Sequence, residues 1–214
     1  MEAFKTHRGV VGVVDRANID TDQIIPKQFL KSIKRTGFGE ALFFDWRYQK
    51  DGTPDPAFSL NTPRFSGASI LVARNNFGCG SSREHAVWAV VQYGFKAVIA
   101  PWQKRGDAHV PAFADIFRNN CVNNGLLTIE LTEAEVDEII RAVEAAGRLE
   151  ATIDLVKQTV TVHSQPEKSY RFEAAQGVKE RLINGLDEIG LSLKHEADIA
   201  AFEKKHNVQM AAGR

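Results

Sequence analysis

The chain has 214 residues, 43% of them hydrophobic, with 27 lysines and arginines balanced by 27 aspartates and glutamates for a formal net charge of zero. A length above the roughly 150 residues of an average domain allows a sizeable core, while the lack of a net basic field argues against sequence-independent nucleic-acid binding. The longest apolar run, residues 86–91, is far short of the roughly 20 residues that span a bilayer, and Cys79 and Cys121 are too few for a self-contained iron–sulfur site.

Residues 1–9 lack the apolar stretch of a secretory signal, so a cytoplasmic location with reduced thiols is expected. Val10, Val11, Val13 and Val14 make a β-branched run that predicts a buried strand. Residues 15–23 are polar, with Asn and Asp that favour turns, and predict a loop able to carry chemistry. Pro26 suits a first helical position, followed at helical spacing by Phe29, Leu30 and Ile33. The Pro- and Gly-containing segment 49–67 predicts a long ordered loop anchored by Phe58, Leu60 and Phe65. Residues 69–73 then predict a second strand, residues 86–93 a helix apolar on nearly every face, and residues 97–100 a third strand. Strand, glycine-rich loop, helix and strand in that order is the pattern of a parallel crossover.

Further along, Thr132 and Glu135 form a capping-box pattern ahead of Val136, Ile139, Ile140 and Val143 at helical spacing, with Gly147 as the stop. Ile153 and Leu155 alternate with polar residues, as do Val160 and Val162, around Lys157 and Gln158. An antiparallel hairpin is expected there, with residues 170–172 as a third strand, so the sheet should be mixed. Residues 196–206 predict a short amphipathic helix.

The glycine-rich loop is the candidate functional segment. Gly78 and Gly80 remove two side chains where a strand turns into a helix, and Ser81, Ser82 and Arg83 fall at the expected helix start. A helix N-terminus offers unpaired N–H groups and partial positive charge to a bound carboxylate, and Arg83 adds a planar donor fork. Two bland readings stand beside this one. Ser81 and Glu84 also match a capping box, and Cys79 with His85 is either a thiol–imidazole pair or a buried thiol beside a structural imidazole. The histidines show no paired metal-ligand spacing, so no metal site on this chain is expected.

Two segments, residues 15–30 (Asp-Arg-Ala-Asn-Ile-Asp-Thr-Asp-Gln-Ile-Ile-Pro-Lys-Gln-Phe-Leu) and residues 76–86 (Asn-Phe-Gly-Cys-Gly-Ser-Ser-Arg-Glu-His-Ala), closely resemble the small subunits of bacterial 3-isopropylmalate dehydratase, a family related to the swivelling C-terminal domain of aconitase. The resemblance extends through Arg35-Thr36-Gly37-Phe38-Gly39, Asp45-Trp46-Arg47, Phe113-Ala114-Asp115-Ile116-Phe117 and Asn184-Gly185-Leu186-Asp187, and so covers essentially the whole chain. It implies an α/β swivelling domain, with a mixed sheet and flanking helices, over residues 1–214, carrying a helical extension from about residue 174.

The resemblance also implies a hydro-lyase subunit of leucine biosynthesis that interconverts 2-isopropylmalate and 3-isopropylmalate. The partner would be a large subunit holding a 4Fe-4S cluster; none of the cluster would be bound by this chain. Ser81 then corresponds to the family's serine base, Ser82 and Arg83 to carboxylate ligands, and Thr21 and Asp22 to orienting groups near the site. Arg35 becomes a candidate substrate clamp, because residues 32–44 fall where the family's specificity loop is expected. Two other readings remain open: a dehydratase subunit for a related hydroxy diacid such as citramalate or homoaconitate, and a free-standing dicarboxylate-binding module. The chain departs from the family pattern at residues 102–110, between Pro101 and Pro111, where a loop insertion is expected.

Overall fold

Strands form where apolar β-branched residues run together, and the alternation of those runs with helical stretches sets the winding of the sheet. The computed structural model describes residues 1–31 and 35–206. In chain order the elements are β1 (Thr6–Val14), the short helices α1 (Thr21–Ile24) and α2 (Phe44–Arg47), β2 (Ala68–Ala73), α3 (Glu84–Tyr93), β3 (Ala97–Pro101), β4 (Gln103–Arg105), β5 (Ala108–Val110), α4 (Asp115–Asn123) and β6 (Leu127–Leu131). There follow α5 (Glu133–Ala146), β7 (Glu150–Asp154), β8 (Thr159–Val162), β9 (Lys168–Arg171), α6 (Gln176–Asn184), α7 (Glu188–Leu193) and α8 (Glu196–His206).

Among the described residues one seven-stranded sheet has the order β6-β3-β2-β1-β7-β8-β9. From β6 to β1 the strands are parallel, with Val14 opposite Ala73 and Val72 opposite Ile99. Beyond β1 the sheet continues as an antiparallel meander, with His7 opposite Ile153 and Ile153 opposite Val160. The mixed sheet, the β2-α3-β3 crossover and the β7–β8 hairpin all follow the sequence expectations. Every residue of β3, and every residue of β2 except Ser69, is buried, as a parallel sheet covered on both faces requires. The apolar stripe Val136, Ile139, Ile140 and Val143 of α5 is buried, and the helix contacts β3 and β1. Its capping box is formed: the Thr132 N–H donates to Glu135 Oε2 at 2.8 Å and the Glu135 N–H to Thr132 Oγ1 at 3.3 Å.

Three local expectations are corrected. The polar stretch 15–23 is not all turn, because Asp20 and Gln23 form a reciprocal capping box that starts α1: the Gln23 N–H donates to Asp20 Oδ1 at 2.7 Å and the Asp20 N–H to Gln23 Oε1 at 2.9 Å. After Pro26 the chain forms a 3₁₀ helix over Lys27–Lys31, and Ile33 lies outside the described residues. Residues 102–110, expected as a loop, are a two-stranded ribbon, β4 with β5, closed at Gly106-Asp107 and stiffened by the Trp102 ring stacked on His109 with centroids 4.6 Å apart. Strand β6 was not among the elements expected from the sequence. No helix among the described residues is long and apolar enough to cross a membrane.

The direction of winding changes at β1, with parallel crossovers on one side and the meander on the other. The four parallel strands share one carboxyl edge, the edge at which open α/β sheets bind their ligands. The loops after β1, β2 and β3 all leave that edge.

Leu71 is fully buried at the centre of β2, so Leu71→Ala is expected to destabilise the chain by about 2–5 kcal/mol. Thr132→Ala, which removes only a cap, should cost about 1 kcal/mol. Urea unfolding of the isolated chain checks both; equal midpoint shifts would contradict the ranking.

Candidate active site

Hydrogen bonding between β1 and β2 does not stop where the strands end. The Asn18 N–H donates to the Asn75 carbonyl at 2.9 Å, the Gly78 N–H to the Ile19 carbonyl at 2.8 Å, and the Thr21 N–H to the Cys79 carbonyl at 2.9 Å. The two post-strand loops therefore run side by side and present residues 20–22 beside residues 79–83. Arg74 reinforces the join, with its guanidinium paired to Asp15 and to Asp137 of α5. That contact holds the Asp137 carboxyl below its ordinary range.

The loop has two glycines for separate reasons. Gly78 sits at φ +74°, and a Cβ there would lie 2.2 Å from the Phe117 ring, so the ring and the loop backbone pack face on. Gly80, at φ +89°, makes the left-handed turn that brings Ser81 round to Thr21. On the far side, the Phe77 N–H donates to the Ala112 carbonyl at 2.9 Å and the Ala114 N–H to the Phe77 carbonyl at 3.3 Å. The start of α4 is thereby tied to the same loop.

These contacts enclose a cavity of about 300 Å³ lined by Thr21, Gly78, Gly80, Ser81, Ser82, Arg83 and residues 114–117. Ser81 and Ser82 are exposed along it. The Thr21 hydroxyl donates to the Ser81 carbonyl at 2.8 Å, which fixes the backbone of Ser81 and leaves its hydroxyl unconstrained by that contact. The Arg83 guanidinium pairs with the Asp22 carboxylate; the arginine side chain is 15% exposed and the aspartate 39%. Lys27 Nζ stands 3.6 Å from the other oxygen of Asp22. Sequence reasoning thus placed Ser81, Ser82, Arg83, Thr21 and Asp22, and the fold brings all five together.

Two expectations about this loop change. The capping box between Ser81 and Glu84 does not form, because α3 begins at Glu84 with Arg83 as its N-cap and without a side-chain cap. The Glu84 carboxylate instead accepts from Asn124 Nδ2 at 3.0 Å, at the end of α4. Helix α4 likewise starts at Ala114 without a side-chain cap. Two helix N-termini without a side-chain cap therefore adjoin one cavity, a setting that favours an anion, although the Ala86 N–H of α3 is taken by the Arg83 carbonyl at 3.1 Å. The thiol–imidazole pair is also absent among the described contacts. The His85 ring packs against Phe38 and Trp88, at 5.3 and 4.7 Å, while burial and the nearby Asp20 carboxylate push the Cys79 thiol above its ordinary pKa.

Arg35 is not brought to the cavity. Its guanidinium lies 5.6 Å from the centre of the Trp88 ring, and its carbonyl accepts from Gln92 Nε2 at 2.8 Å. Part of the expected specificity stretch, residues 32–34, lies outside the described residues. Sequence reasoning missed Lys27 and the apolar lining from α4, Ala114, Ile116 and Phe117. The Asp20–Gln23 box was also missed, although the spacing of an aspartate and a glutamine three residues apart is visible in the sequence. Larger grooves of about 750 and 660 Å³ lie against α5 and beside the ribbon, but neither gathers unpaired hydroxyls and a guanidinium as the cavity at Ser81 does.

A metal centre does not fit this chain's donors. Among the described residues no group of three His, Cys, Asp or Glu side chains is placed to hold an ion. Cys121 is fully buried, its thiol pushed well up by desolvation.

Comparison with known proteins agrees with this architecture. Residues 1–134 match the family model described as aconitase C-terminal domain, and residues 188–210 match that for the C-terminal domain of the 3-isopropylmalate dehydratase small subunit. The chain is 59% identical over 210 residues to the 3-isopropylmalate dehydratase small subunit of Desulforapulum autotrophicum, covering 98% of each chain. Against the small subunit of Brevibacillus brevis it is 50% identical, covering 96% of this chain and 100% of the relative. The crystal structure of 3-isopropylmalate dehydratase from Methanocaldococcus jannaschii superposes with a TM-score of 0.63 at 25% identity, covering 92% of this chain and 98% of that one. With near-complete coverage at this identity, and with the fold to match, the chain belongs to the family of 3-isopropylmalate dehydratase small subunits, built on an aconitase C-terminal domain.

Proposed function

We propose that this chain supplies the proton-transfer and carboxylate-binding half of a hydro-lyase site that interconverts 2-isopropylmalate and 3-isopropylmalate in leucine biosynthesis, the other half coming from a large subunit that carries a 4Fe-4S cluster. The observation that carries this reading is the convergence of Ser81, Ser82 and Arg83 on one cavity beside two uncapped helix N-termini. Family membership supplies the reaction class. A cytoplasmic site of action goes with that role.

Dehydration of a hydroxy diacid removes a proton from carbon next to a carboxylate and builds negative charge on that carboxylate. Arg83 and the first N–H groups of α3 and α4 are the groups on this chain suited to holding that charge. Ser81 is assigned the proton. A serine hydroxyl is ordinarily far too weak a base, so the same positive surroundings that hold the carboxylate must favour its ionised form. Ser82 donates to a carboxylate oxygen beside it. Thr21 keeps the Ser81 backbone in place through its 2.8 Å hydrogen bond, and Asp22 keeps the Arg83 fork aimed by pairing with it. The Lewis acid that a hydroxide leaving group needs is not among this chain's donors and is assigned to the large subunit. Arg35 is packed on Trp88 away from the cavity and is assigned no substrate contact, so Ser81, Ser82 and Arg83 carry the proposal.

Mixed anaerobically with a cluster-bearing large subunit of the family, the chain is expected to generate the absorbance of the unsaturated diacid from 2-isopropylmalate. Ser81→Ala should lower kcat by about 10²–10⁴-fold, the usual worth of a general base. Because Ser81 is exposed, the variant should unfold at the wild-type urea midpoint; near-normal turnover would remove Ser81 from the mechanism. Asp22→Asn releases Arg83 from its carboxylate and should raise KM about tenfold, the equivalent of roughly 1.5 kcal/mol for one charged hydrogen bond. Steady-state kinetics on the reconstituted enzyme separates the two effects, and an Asp22 variant with unchanged KM would show that Arg83 needs no such partner.

A further inference from the structure

The cavity has two unlike sides. Thr21, Ser81, Ser82 and Arg83 form the polar one; Ala114, Ile116 and Phe117 form the other, with Asp115 between them paired to Arg118 at 3.0 Å. Phe117 is only 3% exposed, and its ring is committed to Gly78. Ile116 differs from it in being 54% exposed. It is the large apolar side chain of the cavity lining with surface left to bury.

We propose that Ile116 is a specificity-determining residue: with Ala114 it forms the wall against which the branched alkyl group of the hydroxy diacid packs while Arg83 and the serines hold the carboxylates. This inference rests on the reading of the site given above and adds the residue that selects among diacids. Its geometry is set by the backbone. The Phe77–Ala112 and Phe77–Ala114 hydrogen bonds, at 2.9 and 3.3 Å, tie the first turn of α4 to the strand end that carries Gly78 and Ser81. The distance from the apolar wall to the proton-transferring serine is therefore fixed within one hydrogen-bonded unit. Ile116 is β-branched and lies in a helix, where such a side chain has one strongly preferred χ1 rotamer, so the wall is already ordered before a ligand arrives. In 2-isopropylmalate the isopropyl group and one carboxylate sit on the same carbon, so a ligand held by its carboxylates at Arg83 and the serines can lay its alkyl group on the α4 side of the cavity. A diacid with only a methyl group would leave Ile116 largely uncovered.

The test uses the enzyme reconstituted with saturating large subunit, with 2-isopropylmalate and 2-methylmalate as the paired probes. The readout is kcat/KM, or the inhibition constant where the methyl compound is not turned over. Ile116→Ala should lower kcat/KM for 2-isopropylmalate by about tenfold or more, the scale of discrimination that a methylene-sized contact provides. The 2-methylmalate value should change by no more than about twofold. Ile116→Leu should recover much of the loss. Equal losses on both probes, or no change on either, would overturn the assignment. A higher half-saturating concentration of large subunit, with an unchanged ratio between the probes, would place Ile116 in the interface between the two chains and likewise overturn it. A wild-type enzyme that turns over neither diacid would instead refute the underlying function, and the specificity assignment with it.

Discussion

The site depends above all on the parallel pairing of β1 with β2 and on its continuation past the strand ends. Val14 opposite Ala73 closes the regular ladder, and three further backbone bonds, to the carbonyls of Asn75, Ile19 and Cys79, carry the pairing through the loops. Parallel strands end at the same edge, so extending their pairing places two segments distant in sequence in contact without any dedicated scaffold. Residues 20–22 and 79–83 are about 60 positions apart, yet they meet because strand register leaves them no alternative. Arg74, paired to Asp15 and to Asp137 of α5, pins this junction to a capped helix on the sheet.

The electrostatics of the site are local. With zero net charge, the chain has no global field to draw in an anion. Two helix starts without a side-chain cap and one guanidinium aimed by Asp22 face about 300 Å³, set against the first-turn carboxylates Glu84 and Asp115. Other helices are closed in the ordinary way, α1 by Asp20, α5 by Thr132 and α7 by Asp187. Side-chain caps are missing at α2 and α6 as well and present at α1, whose Thr21 also lines the cavity; what distinguishes α3 and α4 is that both of their uncapped starts open onto the same space.

Much of this was legible in the sequence where the signal was periodic or chemical. The valine run of β1, the capping box of α5 and the β7–β8 alternation were readable because burial imposes periods of two and 3.6. Ser81, Ser82 and Arg83 were readable as a carboxylate site from their place at a helix start, and Thr21 and Asp22 from the family resemblance alone, since the convergence of the two loops depends on register, which no local window contains. The Ser81–Glu84 capping box failed because that pattern is ambiguous: Glu84 finds Asn124 across the helix pair instead. Strand β6 escaped notice because five residues with polar positions at Thr128 and Glu130 give only a weak alternation. Ile116 escaped for a different reason. In sequence it is one more apolar residue near a helix start, and only its exposure within the cavity distinguishes it.

The β4–β5 ribbon bears on how the family can vary. Gln103 is paired with Val110, and Lys104 and Arg105 with His109 and Ala108, so the ribbon is held by its own hydrogen bonds. Its two ends leave side by side whatever happens at its tip. A change of length at the Gly106-Asp107 tip leaves the span between the end of β3 and Ala112 as it is, because Glu130 holds both sides of it: Oε1 accepts from the Ala112 N–H at 3.0 Å and Oε2 lies 3.4 Å from His109 Nε2 of the ribbon. The tip of the ribbon is thus insulated from the edge that carries Ser81, while its body is tied to that edge through Glu130 and Ala112. A longer or shorter tip would leave Phe77, Gly78 and Ser81 where the sheet puts them.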